Sequence, residues 1–187
     1  MERTDFQTAF GRLLRSGPLR DAFCQDPRRT AEMLGLSTQD HQFLTAINPD
    51  DLEAQAQVLL RKRFDAVSRL LPQTFANAGQ NGWPLFRKYA RELWPNRQPA
   101  AFIDARAFCS YLESLPEPIV SPTESNRIGF GTSNRWLAVH FVRRGLIRGK
   151  AKSGFQILIR AGRRFSAEAF VSLGHLDTFL GSLSQSQ

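Results

Sequence analysis

The residues of this sequence whose types could do chemistry are few: three histidines, two cysteines, a handful of carboxylates at helix starts and one glycine-bearing turn. His41, His140 and His175 sit in separate segments and belong to no metal-binding helix motif, so each reads as a surface or core histidine and not as a ligand. Cys24 and Cys109 have no CxxC or Cys/His spacing around them, which signals neither a zinc site nor a disulfide framework; both are expected as buried apolar thiols. Asp50-Asp51 and Asp104 fall where helices should begin, and a carboxylate there is stabilised by the helix dipole, so they read as structural and not as acid/base catalysts. The stretch GFGTSN at 129–134 lacks the third glycine and the preceding strand of a dinucleotide fingerprint, and neither a phosphate-cradling loop nor a GxSxG elbow occurs. No catalytic constellation is left, so the chain reads as a binding protein and not as a self-sufficient enzyme.

The elements that must position any binding surface follow from periodicity. Phe6, Phe10, Leu13 and Leu14 recur at helical spacing until Ser16-Gly17-Pro18, and a second helix starts at Asp26-Pro27 and closes at Gly35. Ser37 or Thr38 can cap a short helix holding Phe43, Leu44 and Ile47. From Asp50, the residues Leu52, Ala56, Leu59, Leu60, Arg63, Val67, Leu70 and Leu71 keep a 3.6-residue period up to Pro72, with Arg61, Lys62, Asp65 and Arg69 on the polar side. After a turn-rich break at 76–82 come an aromatic helix with Trp83, Phe86, Ala90, Leu93 and Trp94, and a helix over Ala100 to Leu115. Pro116, Pro118 and Pro122 argue against regular helix from Pro116 to Ser125, which reads as a linker or extended crossover.

Beyond it the pattern becomes β. Runs at Trp136–Val142, Phe155–Arg160 and Phe165–Val171, separated by GLIRGKAKSG and AGRR, fit a three-stranded antiparallel meander, although Trp136, Val139, His140 and Arg143 also fit helical spacing. In the middle run Phe155, Ile157 and Ile159 share a face. A short terminal helix is expected at Leu176 to Leu183. The fold class is therefore α+β, divided as a helical docking domain (1–115), a Pro-rich linker (116–125) and a basic β-rich domain (126–187).

Charge follows the same division. Residues 1–125 carry 15 Lys/Arg and 15 Asp/Glu, whereas 126–187 carry 10 Lys/Arg against Glu168 and Asp177, so the whole net charge of +8 lies in the last third. Such a segment attracts an anionic partner. Its basic sheet and the helix before it resemble a winged-helix DNA reader in outline, which makes a DNA-binding regulatory protein the alternative function. The N-terminus has no apolar stretch of signal-peptide length and no run approaches the ~18 residues of a membrane span. The expected compartment is the cytoplasm, without membrane contact.

A family likeness adds to this reading. Phe10-Gly11-Arg12-Leu13-Leu14, Leu19-Arg20-Asp21-Ala22-Phe23, Asp26-Pro27, Leu34-Gly35-Leu36, Arg61-Lys62-Arg63 and Leu71-Pro72-Gln73-Thr74 resemble the MbnC-like partner proteins encoded beside multinuclear non-haem iron oxidases of ribosomal-peptide clusters, those of methanobactin among them. The likeness covers about residues 5–95 by motif and the rest in layout. It implies a heterodimer with a barrel-fold multinuclear iron enzyme, with the iron in that enzyme and no cofactor in this chain. It also implies that the pair binds the leader of a precursor peptide while core cysteines become oxazolone and thioamide groups that chelate copper. On that basis Phe155, Ile157, Ile159 and Arg160, or Phe165 and Phe170, are the candidate peptide-binding residues, with Phe155–Arg160 or Phe165–Val171 as the receiving edge. Arg61, Arg63, Trp83, Phe86 and Trp94 are the candidate enzyme-facing residues.

Overall fold

Short polar residues in front of apolar runs start nearly every early helix. In a computed structural model, which describes residues 5–91, 94, 100–117, 119–147, 150–161 and 164–173, the Asp5 carboxylate accepts the Thr8 N–H at 2.7 Å and opens α1 (Phe6–Arg15). Ser16-Gly17-Pro18, expected only to end that helix, also begins α2 (Gly17–Gln25), because Ser16 Oγ accepts the Leu19 N–H and a proline in the first turn has no N–H to lose. Asp26 caps α3 (Pro27–Met33), which stops at Gly35 with a φ of 71°, and Ser37 caps α4 (Thr38–Thr45). The long helix α5 (Pro49–Leu70) carries Asp50 and Asp51 in its first turn, as expected.

Among the described residues the remaining elements are α6 (Pro72–Ala78), a 3₁₀ turn (Gly79–Asn81), α7 (Gly82–Ala90), α8 (Ala100–Glu113), α9 (Pro122–Gly131) and the strands β1 (Leu137–Ile147), β2 (Lys150–Ala161) and β3 (Arg164–Ser172). The α+β class is as expected: helices first, then one antiparallel sheet in the order β1-β2-β3. The predicted terminal helix at Leu176 to Leu183 lies outside the described residues. The chain forms two compact units, Met1–Ala66 with Gln80–Asn96, and Val67–Gly79 with Arg97–Gln187, so contacts divide it within α5 and again near residue 97 instead of at 116–125.

The first unit buries Ala9, Leu13, Phe23, Ala31, Leu34, Leu44 and Leu52 in one cluster, with Phe6 and Phe10 packed against it. Arg20 ties α2 to two other helices of this unit. Its Nε donates to Glu53 at 2.7 Å, and its Nη1 donates to the carbonyls of Leu13 and Leu14, acceptors that the last turn of α1 cannot satisfy internally. Arg91 pairs with Asp21, and its carbonyl accepts the Gly17 N–H at 3.1 Å. A Cβ at Gly17 would lie 2.6 Å from Arg91 Cγ, so this close approach needs glycine.

The second unit is organised by a buried carboxylate. Glu124, on α9, accepts the N–H groups of Gln73 and Thr74 at 2.7 and 2.8 Å and the Thr74 hydroxyl at 2.8 Å, capping α6 from 50 residues away in sequence. The fully buried Gln156 of β2 donates to the Thr123 carbonyl at 2.8 Å and to Glu168 at 2.7 Å, while its own oxygen accepts from Asn126. These contacts hold α9 against β1 and β2. Here the linker expectation is corrected for its last four residues: Pro122 occupies the first turn of α9, where proline is tolerated, so 122–125 are packed helix, while the described residues of 116–121 hold no regular helix, as expected. Asp104 is likewise buried within α8 and is not among its first-turn residues.

The sheet reaches well past its predicted runs. Ile147 pairs with Lys150, so the glycine-rich GLIRGKAKSG is mostly strand, with a bulge between Val142 and Gly145. Gly154 sits where a Cβ would come within 2.1 Å of the Val171 carbonyl oxygen, so glycine marks close backbone approach and not a turn.

Replacing Glu124 by Ala would strand two buried donors and one half-buried one, and chemical denaturation should show the chain destabilised by about 3 kcal/mol. A loss under about 0.5 kcal/mol, ordinary for a surface position, would contradict the capping role.

Candidate functional site

Side chains alternate across a strand, and residues opposite one another in an antiparallel pair share a face. The register therefore assembles three rows on one side of the sheet: Leu137, Ile159 and Ala167; Val139, Ile157 and Ala169; Phe141, Phe155 and Val171. The Phe141 and Phe155 rings meet at 5.3 Å between centroids. All nine side chains are apolar, yet Val139 is 56% exposed, Phe141 48% and Ile159 43%. Trp136, just before β1, is 72% exposed.

The opposite side is the one α9 covers. There Ala138, Leu158 and Phe130 form a buried cluster, and Val142 and Gln156 are buried too. A half-buried antiparallel sheet ordinarily alternates apolar inside with polar outside. This one is apolar on both sides, and a contiguous exposed apolar patch marks an interaction surface. Exposed cations stand in the strands and at their approach, namely Arg135, Arg143, Lys150 and Lys152.

The structure brings three of the predicted peptide-binding residues, Phe155, Ile157 and Ile159, together on the bare face. Arg160 is corrected. Its guanidinium donates to the Ser133 carbonyl at 2.6 Å and to the Phe130 carbonyl and lies over the Phe130 ring, so it fastens the end of α9 to the sheet. Phe170 pairs across from the buried Gln156 and so falls on the covered side. Phe165 lies in β3, with its side chain outside those described. Phe155–Arg160 cannot be a receiving edge, because β2 is the central strand and is paired on both sides; the outer strands are β1 and β3. The sequence pattern places Leu137, Val139 and Phe141 in a strand, but neither they nor Trp136 stand among the predicted binding residues.

The predicted enzyme-facing residues do cluster, within the first unit. The Arg61 guanidinium carbon lies 5.1 Å from the ring centroids of both Phe64 and Trp83, and that of Arg63 lies 4.4 Å from Trp94 and 5.8 Å from Phe86. Cation–π packing of this kind orders the long side chains. Phe86 is fully buried and is corrected to a core residue with no surface to offer.

Reactive groups are scarce. Among the described residues no three His, Cys, Asp or Glu side chains are grouped to hold a metal. His41 Nε2 lies 3.2 Å from the Arg28 carbonyl oxygen, and His175 is outside the described residues. Cys24 is exposed, against expectation, because it falls on the outer side of α2, whereas Cys109 is buried as expected. Burial, helped by the charges of Glu113 and Glu124, pushes the Cys109 thiol up to about 12. Only the thiolate is nucleophilic. A maleimide should therefore label Cys24 alone in the native protein, and both cysteines after denaturation, as read by peptide mass spectrometry; native labelling of Cys109 would contradict its burial.

No helix among the described residues is long and apolar enough to cross a membrane. The family model described as SCO6045-like, C-terminal domain, matches residues 45–114, a stretch running from the last residue of α4 through α8 and leaving the sheet outside. No curated protein matches the chain. No solved structure matches it either.

Proposed function

We propose that this chain is a non-catalytic, cytoplasmic partner subunit that binds the leader of a precursor peptide along its sheet, while a barrel-fold multinuclear iron enzyme modifies cysteines in the peptide core. The observation that carries the peptide half of this reading is the bare apolar face of the sheet beside two outer strands. An extended segment laid against an outer strand gains backbone hydrogen bonds and sets alternate side chains toward that face. β3 is the receiving strand in this proposal. The exposed Arg135, Arg143, Lys150 and Lys152 favour a peptide that interleaves apolar and acidic residues. The enzyme half rests on the resemblance of residues 5–95 to the partner proteins of iron oxidases. Tethering the leader would raise the effective concentration of the core cysteine at the enzyme, a gain from positioning that needs no catalytic group in this chain.

The alternative, a winged-helix DNA reader, would need a cationic helix ahead of the hairpin. α9 holds a single Lys or Arg, and that residue, Arg127, donates to the Leu70 carbonyl at 2.9 Å and lies 3.6 Å from Glu168. Its charge is taken up within the fold, which favours the peptide reading.

Val139→Glu and Ile159→Glu place charge on the bare face at exposed positions, where folding tolerates it. Fluorescence anisotropy with a labelled leader-like peptide that interleaves apolar and acidic residues should show affinity falling by about tenfold or more, equivalent to roughly 1.4 kcal/mol. Pull-down of the iron enzyme should be unaffected. Equal leader affinity in both variants and the parent would sink the peptide reading, and failure of the parent to capture the enzyme would sink the enzyme half.

A further inference from the structure

The first unit contains a second surface of a different kind. Between α1, α2, α5 and α7 it holds a cavity of about 440 Å³, within the size range of small-molecule pockets. Among the described residues five cations line it, Arg15, Arg20, Arg87, Lys88 and Arg91, against one carboxylate, Glu53. Over residues 1–125 as a whole basic and acidic side chains balance, so this is a local excess and not the general charge of the segment.

The cations are not equivalent. Arg20 is fixed by Glu53 and two backbone carbonyls, and Arg91 pairs with Asp21. Burial pushes the Glu53 carboxyl up, but hydrogen bonds from Gln57 and Arg20 and the charges of Arg20 and Arg91 outweigh it, leaving Glu53 below the usual carboxylate range. Glu53 is thus a standing negative charge already committed to Arg20. Arg87 and Lys88, in the last turn of α7, make no ion pair among the described residues and are exposed at the cavity. Two cations without an ion pair among the described residues therefore face the same space as the anchored Arg20 and Arg91.

The cavity also has an apolar wall. Trp94, Leu14, Leu60 and Pro84 line it, and Arg15 lies over the Trp94 ring at 5.9 Å from its centroid. A small inorganic ion would leave that wall unused. From this juxtaposition we infer that the cavity binds an oxyanion, phosphate or carboxylate, carried on a flat apolar body, with Arg87 and Lys88 meeting the charge and Trp94 the body.

Calorimetric titration of the full chain with phenyl phosphate, benzoate and inorganic phosphate tests this. Saturable binding of an aromatic anion is expected at about 1 mM or below, with inorganic phosphate weaker. The double variant Arg87→Gln/Lys88→Gln, at exposed positions that the fold does not need, should weaken the aromatic anion about tenfold or more. Trp94→Leu should bring the aromatic anions down toward inorganic phosphate, and Arg143→Gln, on the sheet, should change nothing. Tighter binding of phenyl phosphate identifies the oxyanion as a phosphate, and tighter binding of benzoate as a carboxylate. Absence of saturable binding by any of the three probes at about 1 mM, or binding that the double variant leaves unchanged, overturns the proposal.

Discussion

The second unit depends on one buried charge. A carboxylate taken out of water is expensive unless it is well hydrogen-bonded, and Glu124 accepts from two backbone N–H groups of α6 and the Thr74 hydroxyl. The same hydroxyl accepts the Ser121 N–H, so the chain entering α9 is fixed by the helix that α9 caps. Gln156 extends the arrangement into the sheet through Thr123, Asn126 and Glu168. Each member satisfies another, and a network of this type is costly to open at any point.

That network decides which side of the sheet is covered. With Gln156 facing α9, strand alternation sends Phe155, Ile157 and Ile159 to the other side, together with their cross-strand neighbours on β1 and β3. The apolar face is thus a consequence of where the polar residues had to go. Outer strands beside such a face invite association, and the cations at Arg143, Lys150 and Lys152 blunt unselective pairing while leaving an acidic, apolar segment welcome.

The first unit spends its charge differently. Arg20 and Arg91 act as cross-links, and Arg61 and Arg63 pack on aromatic rings. Arg61, which reads as part of a solvated helix face in one dimension, thereby packs on Phe64 and Trp83. Arg87 and Lys88, in no ion pair among the described residues, converge on the cavity.

The sequence by itself determined the α+β class, the capped helices α1, α3, α4 and α5, the three strands and the segregation of charge, because capping, 3.6-residue periodicity and strand alternation are all properties of neighbours in the chain. It missed α2, α6 and α9. Each carries in its first turn a proline that reads as a break, and for α6 the capping carboxylate comes from Glu124, about 50 residues away. It placed Phe155, Ile157 and Ile159 on one face, and its meander already made β2 the middle strand, but it did not say whether that face was covered. Arg160 and Phe170 looked as available as their neighbours. Only tertiary structure decided these points, since burial and edge position depend on which remote segment packs against a strand, and a two-residue alternation is the same whichever face meets water.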